Sequence, residues 1–431
     1  VSHPKIDLLL EILDDMWVTD NWIDLLMSLK QNFLVLKSSF MALGMATLLF
    51  SLNTGAAQLA VQTFEDELND NGRCSLREAI VNANRDDQSG SIDCPAGQGE
   101  DTIFLPAGTY TLSLSGRNED EALSGDLDLN SQLTLIGEGA QRTVISARGI
   151  DRVLHIGQAG GVRIEGITLA GGATDEAASD GGGVFVSAGA RVDIVDSAIV
   201  ENFSNRGRGG GIYTLGELAL TNTTVRDNST DPENGNGNSA PGSSGGGGVV
   251  RQTKEGEGGG LYNGPGANLF VFNCTVSANT SKGRGGGVFN DANGVANVNH
   301  CTVADNVSQR GFGDAFHNSF GGILLFKNTV IANPALGNDC SGNVAATGNN
   351  LASDDSCGLA VTFSRVDPML APLALNGGTT QTHALSPESP AVNASNDCTL
   401  MDGFTRVETD QRGVARPQGD RCDLGAFELE M

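Results

Sequence analysis

The chain is poor in aromatic residues, which make up 5% of its 431 positions. Both tryptophans, Trp17 and Trp22, lie before residue 27. With 39% hydrophobic residues and few large rings, it can fill only a thin core, the profile of a long, narrow solenoid. The 59 glycines follow no Gly-X-Y period, which excludes a collagen-like rod. No CxxC or Cys/His zinc spacing occurs, which argues against a structural zinc site. Positive charge is also scarce. After residue 60 there are 23 Lys and Arg against 46 Asp and Glu, a net charge of −23. Such a surface repels nucleic acid and anionic membranes. It could attract Ca²⁺, but no specific motif points to that ion, and no cofactor or metal is expected.

What is present begins with a leader. From Met27, two lysines (Lys30 and Lys37) precede the uncharged apolar residues 40–52, and small residues follow at Gly55, Ala56, Ala57 and Ala60. This is the layout of a secretory signal peptide, here assigned to residues 27–60, and the apolar run is too short to favour a membrane span. Residues 1–26 read as an extra or mis-assigned extension. An amphipathic helix ahead of a membrane anchor is the alternative. All eight cysteines follow the leader, and an even count in an exported protein implies disulfides.

The centre of the chain repeats. Gly-rich motifs start at Gly181, Gly209, Gly258 and Gly285, with a degenerate copy at Phe312, at spacings of 28, 49, 27 and 27 residues. A second motif keeps step and ends at Asn202, Asn228, Asn279, Asn306 and Asn333. A period near 27 with short runs of period-2 alternation leaves no room for a helix. It fits three short strands per coil, a right-handed parallel β-helix over residues 100–350. The expected inward columns are Val162, Val192, Leu218, Leu269, Ala296 and Ile323; Ile164, Ile194, Leu220, Val271, Val298 and Leu325; and Leu169, Ile199, Val225, Val276, Val303 and Val330. Asp196, Asn222, Asn273, His300 and Lys327 should share one turn. The motif-ending asparagines should form a ladder, which explains their N-x-S/T sequons better than glycosylation does. Residues 229–257 interrupt the period and read as an inserted flexible loop.

The ends differ from the repeat. Leu76, Ala79, Ile80 and Ala83 lie on one helical face, and Ser75 with Glu78 makes a capping box, so a short helix should close the N-terminal end within residues 61–99. Residues 351–431 are irregular and contain prolines, and they are expected to form a wrapped C-terminal cap. Local disulfides Cys74–Cys94, Cys340–Cys357 and Cys398–Cys422 are expected. Cys274 and Cys301, one coil apart in one column, are expected to remain thiols.

The segment CSLREAI at residues 74–80 resembles the N-terminal CSLREA domain of bacterial secreted and surface proteins. The GGGIY and TNTTVRDN units resemble the β-helix repeats of that group and, distantly, those of polymorphic outer-membrane proteins. The tail from DP at residue 367 to GAFE at residue 428 resembles the choice-of-anchor Q domain. The resemblance covers nearly all of residues 61–430 and implies a β-helix outside the cytoplasm. It carries over no catalytic residue.

Parallel β-helices also host polysaccharide lyases, glycoside hydrolases and epimerases, which need clustered carboxylates on one outer face. No such run follows the Gly motif. Asp180, Asp291, Asp314 and His317 lie near one edge of it, in different columns, and read as turn residues. The expected function is a secreted or cell-surface, non-catalytic binding, adhesin-like or structural module. A polysaccharide-active enzyme is the alternative. The candidate ligand-binding residues are Phe185, Tyr213, Tyr262, Phe289 and Phe316, one column in which strand alternation would turn the rings outward, toward an extracellular polysaccharide or cell-surface glycan. A self-supporting, covered aromatic stack is the plainer reading of the same residues. No membrane partner is evident, and a monomer is expected. The charged residues before the Gly triplets (Arg206, Arg208, Glu255, Glu257, Lys282 and Arg284) should stack with alternating sign.

Overall fold

The computed structural model describes residues 55–430 except 159, 175–179, 206, 231–255, 333–336, 359–361 and 364. The extension and most of the leader (1–54), most of the inserted loop, Arg206, Glu255 and Asn333 therefore lie outside the described residues. Strands of two to seven residues recur along the chain and pair in parallel with their counterparts one coil away. They build three long sheets of ten, eight and nine strands, wound as a right-handed parallel β-helix. The first sheet begins at Gln58–Ala60, which pairs with Thr102–Phe104, so residues assigned above to the end of the leader belong to the fold.

Alternation along each strand sends one set of side chains into a single core from Leu59 to Cys357. The predicted columns hold through Ala296, Val298 and Val303. One coil later they slip by a residue. Ala296 pairs with Leu324, Val298 with Phe326 and Val303 with Ile331. Ile323 is 52% exposed, Leu325 is half-buried, and Val330 faces the outside of the third sheet. The cause is local. Val276 to Val288 spans 12 residues, whereas Val303 to its counterpart Phe316 spans 13. One extra turn residue moves every following side chain to the opposite face from the one a constant period assigns.

Between the third and second sheets, Asn202, Asn228, Asn279 and Asn306 form a fully buried ladder. Each side-chain amide donates to the next Oδ1 at 2.9–3.0 Å, and each such Oδ1 also accepts a backbone N–H of the preceding asparagine. The third glycine of each triplet lies against this ladder. A Cβ on Gly183 would lie 2.7 Å from both the Asn202 amide nitrogen and the Gly211 carbonyl oxygen. At the other corner Asp196, Asn222, Asn273 and His300 adopt positive φ as expected, but Asn328, not Lys327, continues the column. Short polar side chains tolerate this left-handed geometry.

Helix α1, Leu76–Arg85, closes the N-terminal end with its Ser75/Glu78 capping box formed. The fully buried Arg77 pairs with Asp66 and donates to the carbonyls of Ala122, Gly125 and Asp126, which fixes the loop ahead of the second sheet. The C-terminal segment first adds Phe363 beside Leu351 in the last strand of the third sheet. It then returns along the outer face of the third sheet. There the Thr224 hydroxyl donates to the Gln381 carbonyl, that of Thr275 bonds Gln411, and that of Thr302 accepts from the Ala426 N–H. The three local disulfides are formed with Cα separations of 4.8, 4.9 and 5.9 Å, and Cys274 and Cys301 are buried thiols.

Candidate functional site on the outer face of the second sheet

Second-sheet strands bury the residues flanking a central position, and that position faces outward. Successive coils place Asp128, His155, Phe185, Tyr213, Tyr262, Phe289, His317 and Ser341 there. Ring centroids from His155 to His317 follow at 5.3, 5.3, 5.1, 4.8 and 4.7 Å. Phe316 is not in this column. The one-residue slip turns it inward, fully buried against Phe326, and His317 takes the outward place.

The rings are outward but covered. Tyr213, Tyr262 and Phe289 are 4%, 2% and 2% exposed. The Arg208 guanidinium lies 4.9 Å from the Tyr213 centroid and 5.0 Å from that of Tyr262, held by Asp180 at 2.8 Å. Tyr262 donates its hydroxyl to Asp291 at 2.5 Å. Burial pushes the Tyr213 hydroxyl up to about 12 and raises that of Tyr262 further still. No open ring face is left on these three residues for a sugar to stack upon. Arg208 and Asp180 belong to the column of residues preceding each Gly triplet, Asp180, Arg208, Glu257 and Arg284, which alternate in sign. Asp180 extends the predicted charge ladder by one coil.

The other polar residues singled out from sequence are dispersed. Asp314 accepts the N–H groups of Ser308 and Gly337. His300 sits in the corner column, where burial holds its pKa well below the usual histidine value. A cavity of about 870 Å³ lies between the last coils and the returning C-terminal segment, with Asp305, Asp354, Asp367, Arg365 and His383 in its lining. His383 is locked there by Ser277 and the Ala371 carbonyl.

A different arrangement stands at the N-terminal end of the column. His155 Nδ1 lies 2.9 Å from Asp128 Oδ1, and its Nε2 lies 3.0 Å from Ser187 Oγ. An ionised carboxylate can only accept, so Nδ1 carries the hydrogen, and in the neutral ring Nε2 then accepts from the Ser187 hydroxyl. Asp128 is fully buried, and its second oxygen accepts the Ala122 N–H at 2.8 Å. The His155 side chain is 15% exposed. Next to it, burial pushes the Asp126 carboxyl up to about 7 despite Arg152 at 3.4 Å. Asp120 comes within 3.4 Å of His155 Nδ1. Among the described residues, Asp120, Asp128 and His155 are the trio that could ligate a metal ion, with ligand atoms within 4.8 Å of one another. The Asp128–His155 hydrogen bond occupies the atoms a cation would need.

Sequence reasoning missed this group because no local motif carries it. The readable signal was that Leu127-Asp-Leu and Leu154-His-Ile occupy the strand position that later holds Val184-Phe-Val. Among family models, curated proteins and solved structures, nothing matches this chain.

Proposed function

We propose that the chain is a secreted or cell-surface β-helix module whose ringed shaft, Phe185 to Phe289, is structural and adhesin-like rather than catalytic. The observation that carries this reading is the set of three disulfides, which persist in oxidising compartments. The leader at residues 27–60 and the likeness to CSLREA and choice-of-anchor proteins fit the same location. Among the described residues, no helix is long and apolar enough to cross a membrane. The partner class is an extracellular polysaccharide or cell-surface glycan, met by the polar surface and not by a ring platform. Expression with the native leader, followed by fractionation and alkylation under denaturing conditions, tests the reading. We expect exported protein with two reactive thiols. A cytoplasmic protein with eight would contradict it.

A second reading, a polysaccharide-active enzyme, is favoured by one observation, the hydrogen-bond chain from Ser187 through His155 to Asp128.

A further inference from the structure

We infer that Ser187, His155 and Asp128 form a nucleophile, base and orienting carboxylate that cleave an ester bond at the N-terminal end of the second sheet. This goes beyond the surface-module reading, which holds whether or not the end of the column reacts.

Three observations carry the inference. The first is connectivity. Both hydrogen bonds have ordinary lengths, 2.9 and 3.0 Å, and they run in the order acid, imidazole, hydroxyl that activates a serine. The second is rigidity and access. Asp128 is fixed by the Ala122 N–H, and the His155 ring meets the Phe185 ring edge at 5.3 Å. Ser187 itself opens a surface turn closed by the Ala190 N–H to the Ser187 carbonyl at 3.1 Å. Ala188 and Gly189 in that turn are exposed, and a Cβ on Gly189 would meet nothing within 4 Å. Solvent and substrate can reach the hydroxyl from that side. The third observation is that repetition does not explain the trio. Positions equivalent to His155 carry Phe, Tyr, Tyr and Phe in the next coils, and Val186, just before Ser187, pairs with Thr214, which precedes Leu215. The far end of the same column also carries an imidazole, His317, but its outer neighbour is Ser341 and not a carboxylate, so the contact with Asp128 is what sets His155 apart.

The step balances without an external oxidant or metal. Ser187 Oγ bonds to the ester carbonyl carbon as its proton passes to Nε2. The carbon–alkoxy bond breaks, and the alcohol leaves with that proton. Water, deprotonated by Nε2, then attacks the acyl-serine, releasing the acid and restoring Ser187. The net reaction is ester plus water to acid plus alcohol. The exposed carboxylate of Asp120 stands beside His155, so the site disfavours a carboxylate beside the scissile bond. The open turn suits a small acyl group. The substrate class is therefore a short acyl ester of a neutral alcohol, including O-acylated neutral sugars.

The test uses the full exported protein with its disulfides intact. It is treated with a fluorophosphonate probe and read by intact mass and peptide mapping, with 4-nitrophenyl acetate as the turnover substrate. We expect one adduct, on Ser187, and a loss of turnover on the order of 10³-fold or more in both Ser187→Ala and His155→Asn. Circular dichroism and melting of Ser187→Ala should match the parent, because a half-buried hydroxyl is removed and no core volume. Ser187→Cys should retain a fold and shift labelling to a thiol reagent. No adduct and no turnover above background in the folded parent overturns the inference. So does equal turnover in Ser187→Ala, or turnover that requires one bound zinc and disappears with a chelator. Export and thiol counts are read separately, so the surface-module reading can fail or stand independently of this result.

Discussion

His155 and His317 stand at the two ends of one aromatic column, His155 edge-on to Phe185 and His317 stacked on Phe289, and their surroundings are opposite. His155 is partly exposed and engages a buried carboxylate on one nitrogen and a hydroxyl on the other. His317 is buried and packs at 4.7 Å over Phe289. Its Nδ1 has no hydrogen-bond partner among the described residues. Burial, with Arg284 nearby, pushes the pKa of His317 down to about 4. One end therefore uses imidazole as a base and the other uses it as a neutral ring that terminates a stack. The same residue at equivalent positions of a repeat acquires its chemistry from what the neighbouring coils place beside it.

Exchanging each histidine for the ring found elsewhere in the column should separate the two roles most sharply. His155→Phe is expected to lower ester turnover on the order of 10³-fold, because the base is lost. His317→Phe should leave turnover unchanged. Equal losses in both variants would mean that the column acts through stability alone.

The next effect is on stability against pH. His317 titrates near 6.5 when unfolded and near 4 when folded. Its depressed pKa means that unfolding takes up a proton, so the stability associated with the neutral ring is present above pH 6.5. That stability is lost as pH falls toward 4. His300 and His383, held low by burial, act in the same direction. Urea titrations at pH 7 and pH 5 should show His317→Phe recovering about 2 kcal/mol of the acid-induced loss at pH 5. Parallel pH curves for parent and variant would show that His317 is not held neutral.

The smallest effect concerns the charged cover. Glu257 lies between Arg208 and Arg284 in the register set by the Gly triplets. Glu257→Lys should cost roughly 0.2–1 kcal/mol at low ionic strength, with part of the loss restored by salt. A melting temperature unchanged at low salt would show that the ladder sets no register.

Much of the shaft is legible in the sequence because coil identities repeat. The Asn202 to Asn306 ladder, the inward columns up to Val303, the helix face of Leu76 to Ala83 and the three local cysteine pairs are each visible as a period or a spacing. A one-residue longer turn after Val303 carries no mark of its own, and it displaced Phe316, Ile323, Leu325, Lys327 and Val330 together. The returning C-terminal segment was hidden for a different reason. Its partners Thr224, Thr275 and Thr302 look like ordinary outward strand residues. The Asp128, His155 and Ser187 group was hidden by the very regularity that exposed the fold. Its members come from three coils and are conspicuous only as departures from the column.

Nitrogen-15 NMR of the two histidines tests the contrast most directly. At pH 7, His155 should show a hydrogen on Nδ1, with the strongly downfield proton of a bond to a carboxylate, and an Nε2 that accepts. Asp128→Asn should abolish that signal while His317 stays unchanged. A hydrogen fixed on Nε2 of His155, or a ring averaging freely between tautomers, would contradict the assignment of this end of the column as a reactive site.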